Sequence, residues 1–502
     1  MKVFKLIGIA VLIAIGFGVG KMMSGDTAVV ISSGAKVSSG DIVGTIDLVY
    51  DGKIIEVKDG QLIQDAVKKA SPGDTILVYP GTYKETVYID KDRIRLTGVI
   101  VEGKWPTMEG EHKRNDAVLY SGNGITVENL KITHYKGNAI MGQAGNNFVI
   151  RNNWVIDTGV YGIFPQLGKN GLIEYNVLTG IEDAAIYVGM CDNVVVRFND
   201  VYANVAGIEI ENTRHSIVEN NMVYNNTGGI LAFITPGLPI KTAYDVVIRN
   251  NFVADNNHEN FAAPGSIVSM IPPGTGIIVM AADDVIIENN IIRDNKNAGV
   301  IITSLDYISD VATDPDSEPT PDRVQIYDNL MANNGTEPIE DIQVVMKATF
   351  MEKGPDIMDN GSKDSCMSNP GAVNILKTTV YKQCEKNSTA DLDYSKYLSA
   401  TPVENRNREI YGLGETTYYG VCAGCHAYNI RMIGPPVMEL QALYHNNPQG
   451  IADYIKAPVK RRDGYPAMPP QNYLDEETRL EAAKFMLDLK GNFTAPMGAT
   501  PE

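Results

Sequence analysis

The chain has 502 residues, 44% hydrophobic and 21% charged, the composition of a folded multi-domain or repeat protein. Its 61 acidic and 43 basic side chains give a net charge of −18, which argues against nucleic acid and anionic membrane surfaces as partners. Neutral or cationic ligands, divalent cations included, remain compatible with that charge.

The first 23 residues set Lys2 and Lys5 ahead of an apolar run from Leu6 to Gly20. That run is shorter than the roughly 20 residues of a comfortable membrane span, so it reads as an export signal or a short uncleaved anchor in the cytoplasmic membrane. Either reading places the rest of the chain in the periplasm or another extracytoplasmic space. There Cys366 and Cys384, flanking an irregular stretch, are expected to form a disulfide. Cys191, alone in a strand-like run, reads as a buried apolar filler.

Residues 24–400 form the next unit. Leu62 to Ala70 have helical apolar spacing, suited to covering the open end of a stack of strands. The stretch SPGDTILVYPGTY (71–83) then supplies a turn, a strand and a second turn. From about residue 120 to 335 a unit recurs, as in FVIRNNWV, LIEYNVL, VVRFNDV, IVENNMV and IIENNII. Its asparagines fall at 129, 153, 176, 199, 221, 251, 290 and 329. A base period near 23, rich in Ile and Val rather than Leu, describes stacked coils that bury their apolar faces only against one another. The repeated Asn is expected at a turn, where it tolerates the left-handed conformation and can stack its amide on its neighbours. The fold class is therefore mainly β, a parallel β-helix. With its helical cap and PGDTILVYPGTY segment, the region 55–350 resembles the right-handed parallel β-helix proteins of the pectate-lyase-like superfamily. That group includes polysaccharide lyases and alginate epimerases. The Asp-Pro-His-Asp signature of the epimerases is absent, as is a pectate-lyase-like basic motif.

The longer spacings come from insertions after Phe233, around 255–275 and around 304–323, which should project from one side of the solenoid. The last is rich in Asp and Pro and reads equally as a solvated flap. In AGIEIEN, alternation puts Ile208 and Ile210 inward and Glu209 and Glu211 outward. Tyr187 and Phe164 occupy the position of Glu209 on earlier coils, Gln166 lies beside Glu211, and Asp183 is just ahead. Glu209, Glu211 and Tyr187 are the candidate catalytic group, suited to carbohydrate binding, a Ca²⁺ site or acid–base chemistry. The competing reading is an ordinary solvated strand face. His215, Lys241 and His258 are candidate proton carriers, whereas His112 and His134 show no carboxylate-rich pattern and read as structural.

Residues 401–502 carry a different signal. Cys422, Cys425 and His426 form C-x-x-C-H, the pattern of covalent haem c attachment. A helix-like run precedes it, Gly-Pro-Pro follows at 434–436, GYPAMPP carries Met468, and 475–489 is an amphipathic segment. This order resembles the monohaem class I cytochromes c over about residues 404–490. The resemblance implies one covalent haem c on Cys422 and Cys425, with iron ligated by His426 and Met468. A carbonyl in the Gly434–Pro436 turn would orient His426. His445 is an alternative distal ligand, Met432 is too close to His426 in sequence, and Met486 reads as helix core. Lys456, Lys460, Arg461 and Arg462 precede Met468. They suit an acidic redox partner, the chain's own acidic β-helix, haem propionates or plain solvation.

The expected function is electron transfer by an exported c-type cytochrome whose β-helix binds a carbohydrate-like ligand or a redox partner protein. The alternative is a polysaccharide-active oxidoreductase, lyase or epimerase with the haem as acceptor or accessory.

Overall fold

The computed structural model describes residues 44–490, apart from 265, 309–313, 369–370, 372, 378–380, 386–388, 407–411, 424, 430, 432–433, 466 and 469. The export or anchor segment 1–23 lies outside the described residues, as does Met432. Among the described residues no helix is long and apolar enough to cross a membrane.

Each full coil adds one strand to each of three parallel sheets, as in Phe148–Arg151, Trp154–Thr158 and Tyr161–Gln166. We call these the first, second and third sheets; among the described residues they contain 13, 10 and 11 strands. Successive coils align like with like. Ile163, Ile186, Ile208, Ile230, Ile277 and Val300 pair in one continuous inward column and are all fully buried. Each such side chain contributes about 1.5–3 kcal/mol by leaving water. The column crosses the long spacings without slipping, because the insertions leave the stack as loops.

Two asparagine ladders close the turns. Between the first and second sheets, Asn153 donates its amide to Asn176 Oδ1, and the chain of bonds continues through Asn199, Asn221, Asn251 and Asn290 to Asn329, each step at 2.9–3.0 Å. Asn129 is not a rung: Leu130 occupies the ladder position, and its backbone N–H donates to Asn153 Oδ1. The left-handed residue is also not the ladder Asn but the one before it, such as Tyr175 (φ 57°) or Phe198 (φ 54°). The ladder Asn can then turn its amide inward, where it donates to a carbonyl of the previous coil, as Asn199 does to Ile173. A second ladder, Asn204, Asn226, Asn256, Asn295 and Asn334, joins the second sheet to the third.

Helix Ile63–Lys69 covers the N-terminal end with Ile63, Ala66 and Val67 buried. Its first N–H groups, on Ile63 and Gln64, donate to the Glu85 carboxylate at 2.8 and 2.9 Å. At the other end Cys366 and Cys384 form a disulfide.

Residues 392–406 then run back along the outside of the first sheet. Tyr397 and Leu398 pack on Val149, Leu172, Val195 and Ile217. Side-chain amides stand in for strand pairing: Asn170 donates to Ser399 O and accepts from Ser399 N, and Asn147 does the same with Val403. The first sheet carries a charge ladder in which buried Glu128 binds half-buried Arg95 and Arg151, and, beside Tyr394 of the strap, Glu174 binds buried Arg197. This return delivers the C-terminal helices to the middle of the solenoid. Helices Gly412–Thr417, Val437–Leu443, Pro448–Lys456 and Glu476–Asp488 make up a small helical domain on the same compact unit.

Candidate functional site

The outward column of the third sheet runs Leu119, Met141, Phe164, Tyr187, Glu209, Leu231 and Ile278. A solvated face would not be this apolar, and it is not solvated. Tyr418 and Tyr419 of the helical domain share one apolar cluster with Leu167, Met190, Leu238 and Ile240 of the β-helix. Gln166 Nε2 donates to Tyr419 O at 2.6 Å. Leu238 and Ile240 belong to the first insertion, which therefore supports the helical domain. The third insertion braces the first, since Asp314 accepts from Gly237 N and pairs with Lys241.

Between the two domains lies a cavity of about 460 Å³. The helical domain lines it with Cys422, Cys425, His426 and Met468, and the β-helix with Met141, Tyr161, Phe164, Asp116 and Asp183. Ala263, Pro264 and Ser266 of the second insertion wall one side. The sulfurs of Cys422 and Cys425 are unpaired, and burial pushes both thiols up to about 12. His426 Nδ1 donates to Pro435 O at 2.8 Å, the carbonyl expected in the Gly-Pro-Pro turn. That bond fixes the tautomer and leaves Nε2 as the nitrogen able to ligate a metal. Burial lowers the His426 pKa, which keeps the ring neutral, the form that binds metal. Gly434 permits this packing: a Cβ there would lie 2.3 Å from His426 Cε1.

The candidate carboxylates point outward from the solenoid as expected, but Glu209 and Glu211 are 1% and 3% exposed and Tyr187 is 3% exposed. The expectation of a solvated face is overturned because the helical domain and the insertions cover the sheet. Asp183 joins the acids at 8% exposure and lines the cavity. Asp183 Oδ1, Glu209 Oε1 and Glu211 Oε2 are buried without a hydrogen-bond partner. Desolvation, with repulsion from Glu211 on Asp183 and from Asp183 on Glu209 behind it, holds the carboxyls of Asp183 and Glu209 well above the usual range. Burial raises Glu211 to about 7, partly offset by the hydrogen bond it accepts from Thr235. Asp116, bonded by Asn138 at 2.7 and 2.9 Å, is raised by burial to about 6. Stacked Tyr161 and Tyr187 rings, 4.5 Å between centroids, lie beside this group.

Other candidates fall elsewhere. His215 binds Asp192 at 2.7 Å in the first sheet, His258 bonds its neighbour Glu259 O, and Lys241 is held by Asp314, so none reaches Glu209 or Glu211 as a proton carrier. His445 is exposed and bonds Asn446, away from the cavity. Met486 is buried helix core and also lines the cavity. Lys460, Arg461 and Arg462 line the cavity, and Arg462 pairs with Glu439 of the same domain. Arg479, unforeseen from sequence, is a 7% exposed cation at the cavity wall. His112 and His134 also depart from expectation, because both do have carboxylate partners. His134 Nδ1 lies 3.0 Å from both oxygens of Glu109, and each imidazole faces Asp157.

Residues 87–235 and 146–317 match the family model of the right-handed β-helix region. Among solved structures the chain is similar to the mannuronan C-5 epimerase AlgE6 A-module of Azotobacter vinelandii: 15% identity, 64% of this chain, 91% of that one, TM-score 0.44. It is similar also to an alginate lyase of Paenibacillus sp. str. FPU-7: 17% identity, 57% of this chain, 99% of that one, TM-score 0.36. A third is an exopolygalacturonase of Thermotoga maritima: 12% identity, 66% of this chain, 93% of that one, TM-score 0.40. No curated protein matches the chain. The chain is a right-handed parallel β-helix that carries a small C-terminal helical domain on its third sheet.

Proposed function

We propose that the protein is an exported c-type cytochrome, an electron-transfer protein whose β-helix forms one wall of the haem site. The observation that carries this reading is the convergence on one cavity of unpaired Cys422 and Cys425, His426 with Nδ1 locked by Pro435, and Met468. These residues fit the group: the two thiols would hold it covalently, His426 Nε2 and the Met468 sulfur would ligate it, and Gly434 leaves room for the ring. A haem held there supplies one-electron chemistry at an iron whose potential a methionine ligand raises. The chain's own residues do the rest. Phe164, Met141 and Tyr161 exclude water, Arg479 and Arg461 offer positive charge to acidic substituents, and buried Asp183 holds a proton at the wall. Reduced-minus-oxidised spectra of the full chain test the reading: a c-type α band is expected, with its covalent character lost in Cys422→Ala/Cys425→Ala. A wild-type protein exported with the haem maturation machinery yet colourless refutes it.

The second reading is a polysaccharide-active oxidoreductase, lyase or epimerase on the β-helix. The group Asp183, Glu209 and Glu211 beside Tyr161 favours it, because neutral buried carboxyls can act as general acids. A Ca²⁺ ion in this group suits the reading less well, since protonated carboxyls are poor ligands for it. Incubation with uronate polymers tests the lyase and epimerase forms of this reading. Unsaturated or epimerised product that disappears in Asp183→Asn supports them, and absence of both products refutes them.

A further inference from the structure

We propose that His112, His134 and Asp157 form a binding site for a divalent first-row transition metal at the mouth of the interdomain cavity. Asp157 stands beside His134 in paired strands of the second sheet, and His112 lies in the turn after the preceding strand of that sheet, Pro106–Glu109, where its N–H donates to His134 O. All three have left-handed backbones, with φ of 50°, 57° and 56°, and the stacked coils on either side hold that conformation. The coil register and the turn after Glu109 together bring three donors to one point. His112 Nε2 lies 3.6 Å and His134 Nε2 3.7 Å from the same oxygen, Asp157 Oδ2. Among the described residues this is the group of three or more His, Cys, Asp or Glu whose donor atoms lie close enough to share an ion, all within 4.8 Å.

Two observations point to a cation rather than to mutual hydrogen bonding. First, His134 Nδ1 donates to Glu109, whose two oxygens sit 3.0 Å away, which leaves Nε2 as the ring nitrogen facing Asp157. At 3.7 Å that approach is too long for a hydrogen bond. Carboxylate on one ring nitrogen and metal on the other is the arrangement that orients ligating histidines. Second, the two His–Asp separations, 3.6 and 3.7 Å, are a few tenths of an ångström above the roughly 3.3–3.5 Å edge of a coordination sphere with bonds of about 2.0–2.1 Å, within a group spanning 4.8 Å. Rotation of the exposed His112 side chain would bring the third donor in.

Two imidazoles and one carboxylate suit zinc, nickel, copper or iron(II) rather than calcium. His112 is 65% exposed at its side chain, so coordination positions stay open to solvent or substrate. His112 and Asp157 line the same cavity as His426 and Met468, and Glu182 beside them adds a second carboxyl. A redox-active ion here would therefore share a chamber with the electron-transfer site. The metal site itself does not depend on that reading.

The test is calorimetric titration of the chelator-treated full chain with Zn²⁺ near pH 7.5. One equivalent should bind, and His112→Ala, His134→Ala or Asp157→Ala should each weaken binding at least tenfold. Glu109→Gln, which removes no ligand, should weaken it tenfold to a hundredfold. Binding must persist in Cys422→Ser/Cys425→Ser, which removes the other place where sulfur and imidazole meet. Absence of stoichiometric Zn²⁺ binding by wild type overturns the site. So does binding that survives all three ligand substitutions, or that vanishes with the cysteines. Circular dichroism of each variant separates loss of a ligand from loss of fold.

Discussion

Glu211 gives the sharpest quantitative prediction. Its carboxyl is buried, accepts a hydrogen bond from Thr235 with one oxygen and leaves the other unpaired, and burial raises its pKa from 4.5 to about 7. A pKa raised on folding means the native state holds the proton more tightly than the unfolded chain does. The resulting contribution is therefore complete below pH 4.5 and is lost as pH rises through about 7. Integrated between pH 5 and pH 8, the loss is about 2.5 kcal/mol. For a cooperative unit of this size, that is about 2–3 °C in Tm. Glu211→Gln keeps the shape and the acceptor for Thr235 but cannot ionise. We expect the variant to gain on wild type by that amount between pH 5 and pH 8, read by urea denaturation or calorimetry at each pH. Asp183 and Glu209 shift in the same direction, so wild type retains a slope of its own and the measured quantity is the difference between the two proteins. Parallel curves would refute the burial argument and place Glu211 in contact with water.

Further outcomes follow from other contacts. Arg197→Ala removes the cation beside Glu174, both less than 10% exposed at their side chains, and should cost about 3–5 kcal/mol of stability. Because Arg197 also donates to Tyr394 Oη at 3.1 Å, limited proteolysis should cut the strap near 392–406 faster in that variant. Asn199→Ala breaks a rung whose amide binds Ile173 O, Arg197 O and Asn221 Oδ1, at a cost of about 1–3 kcal/mol in urea denaturation. Gly434→Ala should displace the His426 ring from Pro435 and, on the proposed cytochrome reading, reduce covalent haem per chain in absorbance spectra. Unchanged haem content would show that the turn tolerates a Cβ.

The repeat was readable because a coil's inward residues are dictated by one-dimensional stacking: Ile208, Ile230 and Ile277 need only match the coil above and below. The first asparagine ladder was visible for the same reason, although Asn129 was misplaced by one residue. The second ladder keeps the same 22-, 30-, 39- and 39-residue spacings and could have been found from them. What sequence spacing could not supply was the contact between distant segments. Gln166 and Tyr419 lie 253 residues apart, and no local pattern joins them. One signal was available: Phe164, Tyr187 and Leu231 share the outward column with Glu209, and an outward column that apolar implies a cover. The carboxylate partners of His112 and His134 were not legible because Glu109 and Asp157 become their neighbours only through the coil register.

The outward column also explains why the two domains are joined as they are. An isolated solenoid would leave Leu119, Met141, Phe164 and Tyr187 as an exposed apolar stripe, a liability for association. The helical domain alone would leave its cysteine- and histidine-bearing cavity open along the side now formed by Met141, Tyr161 and Phe164. Each surface completes the other, and the strap fixes their register: Ser399 and Val403 are bonded to αL asparagines on successive coils, so the helices arrive at one height along the solenoid. That height brings Asp183 to the wall beside Cys425 and sets His112 and Asp157 at the mouth. Shifting the strap by one coil would move the cavity about 4.8 Å along the axis and replace Asp183 with a residue of another rung. The site is therefore a property of the register between the strap and the solenoid, and neither domain contains it alone.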